Sequence, residues 1–516
     1  VVDGTVAGEL KVYPTPLTSL LEAVQALLRK PHGCFEQTSS AHFPNIMIVD
    51  FLQSMGLDQA HAPFLAKTLA HLEEGYRRLV SYETEEEGFE WFGAAPPHEA
   101  LTAYGLLEFS AMDRLRGVSV DQGLLRRTRD LLLSLREGDG FSRNPKALDS
   151  FGRASLQVTT AYIVWAMSQS GVDSSQLSAQ IDGLTKGVWN DITENSANPY
   201  VVALLTDSLY NFGMAAEAEE FGDALSRQFN AEGLPLHLDD AETITVSHGT
   251  SKEVEVAAVA VLAMVNDPQR YGGRMHAVMD QLLGRCKNGA FGGTQATVLG
   301  LRAVIAYWKL VAGANADCST AVFVAGQEVA SFTASDGAPP LAPFLTAALE
   351  SGEGMALVSE CEHLLYSTSV QWRRASVPPS ALPEFTFSVA LSLEEGHLTE
   401  ADGLFLEVDW CNAGGEDTSM LLASVGVPGG VDVDTAFLDQ AVAEGAVDYY
   451  ELASDNSEVY LYWRGSQAGD CASLRLPAVA TVPGSYRATP SHFYQYYDDE
   501  RQIWLPPLQV DIAPIQ

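Results

Sequence analysis

Residues 31–40 read Pro31-His32-Gly33-Cys34-Phe35-Glu36-Gln37-Thr38-Ser39-Ser40. A cysteine and a glutamine three apart face one another across one helical turn, so the thiol can displace ammonia from the side-chain amide and close a small ring. Gly33 permits the tight approach. The resulting thioester is an activated acyl group that only burial keeps from water, and an amine or hydroxyl attacks it once it is exposed. The same residues also fit a buried, inert cysteine at the start of a helix.

Outward from this stretch, from about Pro16 to Val311, apolar residues recur at helical spacing. The segments are Leu17 to Leu28, Ala62 to Val80, Leu101 to Met112, Leu124 to Leu135, Thr159 to Met167, Val254 to Val265 and Thr294 to Val311. A weak repeat runs through them. A Gly-aromatic turn (Gly88-Phe89, Gly140-Phe141, Phe291-Gly292) precedes a helix rich in small residues (Leu101-Thr102-Ala103-Tyr104, Thr159-Thr160-Ala161-Tyr162, Thr294-Gln295-Ala296-Thr297). Small residues on one face let inner helices approach closely, so the repeat suggests an α/α toroid.

After Gly313 the pattern changes to alternating strands divided by Gly, Pro and Asp, as in Phe385-Thr386-Phe387-Ser388-Val389 and Val459-Tyr460-Leu461-Tyr462-Trp463. Pro378-Pro379 and Pro383 mark a boundary within this half, with a small β unit before it and a sandwich of about 135 residues after it. Gly4 to Val12 also reads as a strand. If it pairs with the small β unit, the helical region is an insertion in a β domain.

Bulk properties exclude several classes. The 516 residues exceed one ordinary core, and about two to four domains are expected. With 67 Asp+Glu against 30 Lys+Arg, the formal net charge of −37 repels nucleic-acid phosphates and anionic headgroups, so neither is an expected partner. An apolar fraction of 47% excludes wholesale disorder, and the longest apolar run, Val256 to Val265, is too short to span a bilayer. A soluble globular protein without a transmembrane segment is expected. The first residue is Val, with no basic and apolar leader, which reads as a processed chain or part of a longer one.

Six cysteines without a CxxC pair argue against a zinc ribbon, and no metal or cofactor is expected. With Cys34 committed to a thioester, an odd five remain, and in an oxidising compartment one stays unpaired or bridges outside this segment. Domain membership suggests the pairs Cys318–Cys361 and Cys411–Cys471.

Gly33-Cys34-Phe35-Glu36-Gln37 resembles the Gly-Cys-x-Glu-Gln thioester motif of the alpha-2-macroglobulin and complement superfamily. The surroundings agree: His32 sits in a Pro-aromatic/His-Gly lead, and Leu101-Thr102-Ala103-Tyr104 is similar to a recurrent helix of the family. Gly292-Gly293-Thr294-Gln295-Ala296-Thr297 is similar to its Gly-Ser-Thr-Gln motif. Val425-Gly426-Val427-Pro428-Gly429-Gly430 and Pro490-Ser491-His492-Phe493-Tyr494-Gln495-Tyr496-Tyr497 are similar to signatures of its C-terminal sandwich. Phe35 in place of the vertebrate Gly, together with Glu90-Trp91-Phe92 and His98-Glu99-Ala100-Leu101, resembles bacterial members.

The resemblance implies an α+β multidomain chain. Residues 1–14 and 313–377 would be parts of a CUB-like β domain, 15–312 a thioester-containing α/α toroid inserted in it, and 378–516 a macroglobulin or receptor-binding-type β-sandwich. Cys34 and Gln37 would form the thioester, with Gly33 and Glu36 supporting the motif. Glu36 either polarises the bond or caps the helix, where a carboxylate is favourable. Tyr494, Tyr496 and Tyr497 would shield the thioester, or they fill the sandwich's own core, since alternate strand positions point to opposite faces. Tyr494 and Tyr496 would share one face.

Hydroxyl-preferring relatives use a mid-domain histidine, but this chain has none between His98 and His237. Asn144 to Arg153, where that loop should lie, offers Asp149 and Ser150, and neither suits proton shuttling at neutral pH. Transfer to amines is therefore expected over transfer to hydroxyls. His32 and His42 flank the motif but read as loop or helix-cap residues rather than bases. The chain has 8 Lys to 22 Arg and no Lys after Lys309, so the β half carries no side-chain amine to react with the bond.

The expectation is a covalent-capture protein, not a turnover enzyme. Its partners would be proteases or target-surface amines and the upstream macroglobulin domains of the same protein, in an extracellular, secreted or bacterial periplasmic setting. One competing reading is an extracellular adhesion or scaffold protein with an inactive or merely structural thioester site. Another is an α/α-toroid enzyme, for which Asp239-Asp240 and the isolated Cys286 are poor metal or acid sets.

Overall fold

Among the described residues of the helical half, eleven α-helices sort by how they bury. In the computed structural model, the residues described are 2, 4–13, 33–56, 59, 62–144, 151, 153–286, 290–311, 319–333, 354–360, 365–377, 382–393, 398–418, 420–453, 455–496 and 501–515. The segment Leu17 to Leu28 lies outside them. Those residues fall into two compact units, one of 1–144, 154–244 and 250–375, the other of 145–153, 245–249 and 376–516.

In the first unit the helices are α1 (Phe35–Ser54), α2 (Ala62–Val80), α3 (Glu99–Asp113), α4 (Gln122–Ser134), α5 (Leu156–Ser168) and α6 (Ser178–Glu194). They continue with α7 (Pro199–Asn211), α8 (Ala215–Arg227), α9 (Gly249–Met264), α10 (Pro268–Gly284) and α11 (Thr294–Val311). The odd-numbered helices are buried on nearly every side, whereas the even-numbered ones bury a single stripe such as Thr68, Leu72, Gly75 and Leu79 of α2. An amphipathic stripe marks an outer helix, and all-round apolarity marks an inner one. Helix α1 packs against both α3 and α11, so the last inner helix meets the first and the α/α toroid closes.

Burial rather than propensity makes the inner helices. Helix α9 carries Val254, Val256, Val259 and Val261, all buried. Each β-branched residue costs a few tenths of a kcal/mol of helix propensity, while burying it returns about 1.5–3 kcal/mol. The Gly-aromatic repeat has a physical basis: the Phe89 N–H donates to Thr102 Oγ1 at 3.0 Å, and the Phe291 N–H donates to Thr297 Oγ1 at 3.0 Å. Each turn is thus tied to the first turns of its inner helix.

The β part of this unit joins distant sequence. Ala7–Tyr13 runs antiparallel to Leu365–Gln371, with Ala7 opposite Gln371 and Tyr13 opposite Leu365, so the helices are inserted between neighbouring strands. Ser319–Val324 pairs with Gln327–Thr333 and Met355–Ser359, and Leu10 and Val322 are buried in a small core.

The second unit is a β-sandwich. One sheet orders Val431–Val433, Cys471–Ala480, Gly403–Asn412 and Phe385–Leu393. The other orders Tyr449–Leu452, Glu458–Trp463, Leu421–Gly426, His492–Gln495 and Gln502–Trp504. Along Gly403–Asn412, Leu404, Leu406, Val408 and Trp410 alternate inward, and the Trp410 and Phe387 rings stack on Phe493 at 5.8 and 5.2 Å. Cys411 and Cys471 face each other across a register pair and form a disulfide. Cys318 and Cys361 lie outside the described residues. No helix among those described is long and apolar enough to cross a membrane.

Candidate functional site

The site is built on one tight turn. Gly33 has φ +80°, a conformation that glycine adopts without strain, and a Cβ there would sit 1.6 Å from Gln37 Oε1. The turn delivers Cys34 to the N-cap of α1 in extended conformation (φ −74°, ψ −178°), where Cys34 and Gln37 form a reciprocal capping box. The Cys34 N–H donates to Gln37 Oε1 at 3.1 Å, and the Cys34 side chain accepts from the Gln37 N–H. Spacing alone therefore places the thiol and the amide on one helical turn.

Distant elements hold this turn. The Gly33 carbonyl accepts from Tyr82 Oη at 2.6 Å and from Arg78 Nη2 at 2.9 Å, Arg78 in the last turn of α2 and Tyr82 in the turn just after it. The Phe35 N–H donates to the Trp91 carbonyl at 2.8 Å. The Phe35 ring stacks on Phe89 at 4.8 Å, and Gly105 of α3 leaves room for it, since a Cβ there would meet Phe35 Cζ at 3.0 Å. Sequence reasoning missed Arg78 and Tyr82, for no local pattern ties an Arg-x-x-x-Tyr pair to a loop 45 residues upstream.

Glu36 is buried, and its Oε1 accepts from Ser40 Oγ at 2.8 Å, Thr294 Oγ1 at 2.7 Å and Gln295 Nε2 at 3.0 Å. This carboxylate ties the start of α1 to the start of α11, and its position in the first turn also suits the helix dipole. Cys34 is fully buried. Burial, then the neighbouring Glu36 charge, pushes its thiol pKa well above the usual range.

His42 is buried and committed to structure. Its Nε2 donates to the Leu72 carbonyl at 3.0 Å, and its Nδ1 lies 2.6 Å from Glu108 Oε1, so the ring ties α1 to α2 and α3. Burial raises the Glu108 pKa against the pull of His42. The side chain of His98 caps α3, accepting from the Ala100 N–H at 3.2 Å. Asn144 donates its N–H to Glu99 Oε2 at 3.0 Å. His32, Asp149 and Ser150 lie outside the described residues.

Tyr494 and Tyr496 belong to the second unit. Tyr494 lies opposite Leu422 on the face away from the sandwich core, with its ring stacked on His492 at 5.6 Å. Phe493 fills the core instead. The strand ends at Gln495, so Tyr496 lies in the turn beyond it, buried, with its N–H donating to the Met420 carbonyl at 2.8 Å. Tyr497 lies outside the described residues.

Chemically, the first turn of α1 suits acyl transfer to sulfur. Attack by the Cys34 sulfur on the Gln37 amide carbon would place negative charge on Oε1, where the Cys34 N–H already donates, beside the buried Cys34, Phe35 and Glu36.

The sequence model of the A-macroglobulin TED domain matches residues 10–307, more than half of the chain. The chain belongs to the alpha-2-macroglobulin family of thioester-containing proteins. This family member is similar to thioester-containing protein 1 allele S1 of Anopheles gambiae, 23% identical over 307 residues, which cover 58% of this chain and 22% of that protein. Ovostatin of Gallus gallus is 22% identical over 323 residues, which cover 60% of this chain and 22% of ovostatin. The chain thus spans about a fifth of the length of the curated relatives it matches.

Among solved structures, the alpha-2-macroglobulin of Escherichia coli from domain MG7 to the C-terminus superposes with TM-score 0.68 at 14% identity, covering 99% of this chain and 78% of that one. Salmonella alpha-2-macroglobulin reacted with methylamine superposes with TM-score 0.70 at 16% identity, covering 100% of this chain and 32% of that one. At such identities the likeness of this alpha-2-macroglobulin-family chain to those structures is one of fold.

Proposed function

We propose that Cys34 and Gln37 close an internal thioester that serves once, as a covalent trap. In closing, the Cys34 thiol adds to the Gln37 amide carbon, the C–N bond breaks and ammonia leaves with the thiol proton. In firing, an amine adds to the same carbon, the C–S bond breaks, and Gln37 is left as a substituted amide with a Cys34 thiol. The observation that carries this reading is the reciprocal capping box between a fully buried Cys34 and a partly buried Gln37. Family membership supports it.

Amines are the preferred nucleophiles in this reading, because the stretch between His98 and His237 holds no histidine to deprotonate a hydroxyl. In the whole protein, proteolysis elsewhere in the molecule exposes the bond, and lysine amines of a protease or a target surface are captured. That role suits an extracellular or periplasmic protease trap working with upstream macroglobulin domains, not an enzyme that turns over.

Intact-mass measurement tests the proposal. A closed thioester lowers the mass by one ammonia, and methylamine then adds its own mass with the appearance of one thiol at Cys34. A mass equal to that of the encoded chain, unchanged by methylamine, defeats it. Incorporation of glycerol as readily as methylamine defeats the amine preference alone.

A further inference from the structure

The peptide unit that joins Gly33 to Cys34 is loaded at both ends. Its oxygen, the Gly33 carbonyl, accepts from Tyr82 Oη at 2.6 Å and from Arg78 Nη2 at 2.9 Å. Its N–H, which belongs to Cys34, donates to Gln37 Oε1 at 3.1 Å. The two ends share one resonance-coupled group, so donors on the oxygen draw charge through the C–N bond and leave the N–H more positive.

Tyr82 cannot turn its proton elsewhere at no cost. A phenol has one, and Arg78 Nε donates to the same hydroxyl at 3.1 Å, which directs that proton to Gly33. The guanidinium therefore reaches the carbonyl twice, directly through Nη2 and by way of the phenol through Nε, and a charged donor makes the stronger bond. The Tyr82 ring is fixed in turn by an edge contact with the buried Phe35 ring, 6.2 Å between centroids. The same donors on another carbonyl of the turn would hold the loop equally well. Here they sit on the one carbonyl whose peptide N–H faces the side-chain oxygen of Gln37.

We propose that Arg78 and Tyr82 set the reactivity of the acyl group through this peptide, as positioning residues that make the Cys34 N–H a stronger donor to the Gln37 acyl oxygen. The inference rests on the thioester reading. In the step concerned, an amine adds to the Gln37 acyl carbon and an electron pair of the C=O bond moves onto Oε1. The pair returns as the C–S bond breaks, and the Cys34 thiolate leaves and takes the proton lost by the amine. Charge on Oε1 peaks between the two events, so a stronger donor lowers both barriers. Losing an oxyanion donor outright costs roughly a hundred- to a thousandfold in rate, and a cooperative bond changes in strength by roughly 10–30%, which makes the relay worth about two- to tenfold.

Tyr82→Phe would also loosen the turn, so the test keeps ring and hydroxyl and varies the acidity of the phenol alone, with mono- and difluorinated tyrosine at position 82 of the full chain. It is run at mildly acidic pH, where burial, which already raises the Tyr82 pKa, keeps every phenol protonated. One readout is the Cys34 amide proton shift, from ¹⁵N-cysteine labelling with Cys34→Ser to assign the signal. The other is the rate of thioester opening by methoxyamine, an amine that is unprotonated there. The Cys34 amide is expected to move downfield with fluorination while Cys286 in the same spectrum stays still, and the opening rate to rise by up to about tenfold across the series. Arg78→Met should move the Cys34 amide upfield. A Cys34 shift indifferent to fluorination overturns the relay, and a shift that follows it at an unchanged opening rate overturns its bearing on reactivity. A chain whose intact mass shows no closed thioester defeats the trap instead, and the shift, read on the open chain, still decides the relay.

Discussion

The Tyr82 hydroxyl donates to the Gly33 carbonyl oxygen at 2.6 Å across 49 residues of sequence, and Arg78 Nε donates to the same hydroxyl at 3.1 Å. One carbonyl, directly before the cysteine, is thus held by a phenol and a guanidinium that also hold each other.

Tyr82→Phe keeps the ring against Phe35 and removes one donor, at a cost of about 1 kcal/mol. The turn should loosen more than the protein destabilises. Thiol at Cys34 is expected to appear faster on incubation without amine, measured by a thiol-reactive dye added after quenching into denaturant, while the denaturant midpoint moves only slightly. Arg78→Met should act in the same direction.

Gly33→Ala meets both a positive φ and a Cβ in the space of Gln37 Oε1. The strained backbone alone costs about 1–3 kcal/mol. Displacement of the amide should also prevent ring closure. The purified variant is expected to show no loss of ammonia by intact mass and no methylamine adduct.

Once an amine has opened the bond in a fold like this one, Cys34 should resist alkylation. Its thiol pKa is raised, so little thiolate exists at pH 8, and iodoacetamide should modify it more slowly than it modifies free N-acetylcysteine. The sign for stability follows. Above about pH 8.5 the unfolded thiol releases its proton while the folded one keeps it, so stability falls as pH rises, by up to about 1.4 kcal/mol per pH unit. Cys34→Ala should remove that alkaline slope from urea midpoints measured between pH 8 and 10.

Glu36→Ala strips the acceptor from Ser40, Thr294 and Gln295 in a buried site. Each stranded donor costs about 1–3 kcal/mol, so the denaturant midpoint should drop sharply. Glu36→Gln retains a carbonyl oxygen and removes the charge. Since that charge helps raise the Cys34 pKa, the pH profile of alkylation is expected to shift to lower pH.

Local spacing made much of this molecule readable. Leu72 and Leu79 fall on the buried stripe of α2 because helical periodicity is a property of the segment itself. The Gly-aromatic repeat was visible because Gly88 packs where a Cβ would strike Pro97 and Leu131, which leaves a mark on composition. Helices such as α6, α8 and α10 escaped the segment reading: each buries only four or five residues, set among charged and polar neighbours. His42 read as a cap or loop residue because nothing nearby discloses Glu108, 66 residues on.

By itself the sequence determined how Cys34 and Gln37 are placed, since Gly33, Cys34 and Gln37 lie within one helical turn and their geometry follows from local backbone rules. It also determined the change from helix to strand after Gly313. Only the tertiary structure decided what holds and seals that turn: Tyr82 and Arg78 on its carbonyl, and Thr294 and Gln295 on Glu36 across 258 and 259 residues. Such contacts are made when the inner helices close into a ring, and chain spacing carries no record of which distant side chains then meet.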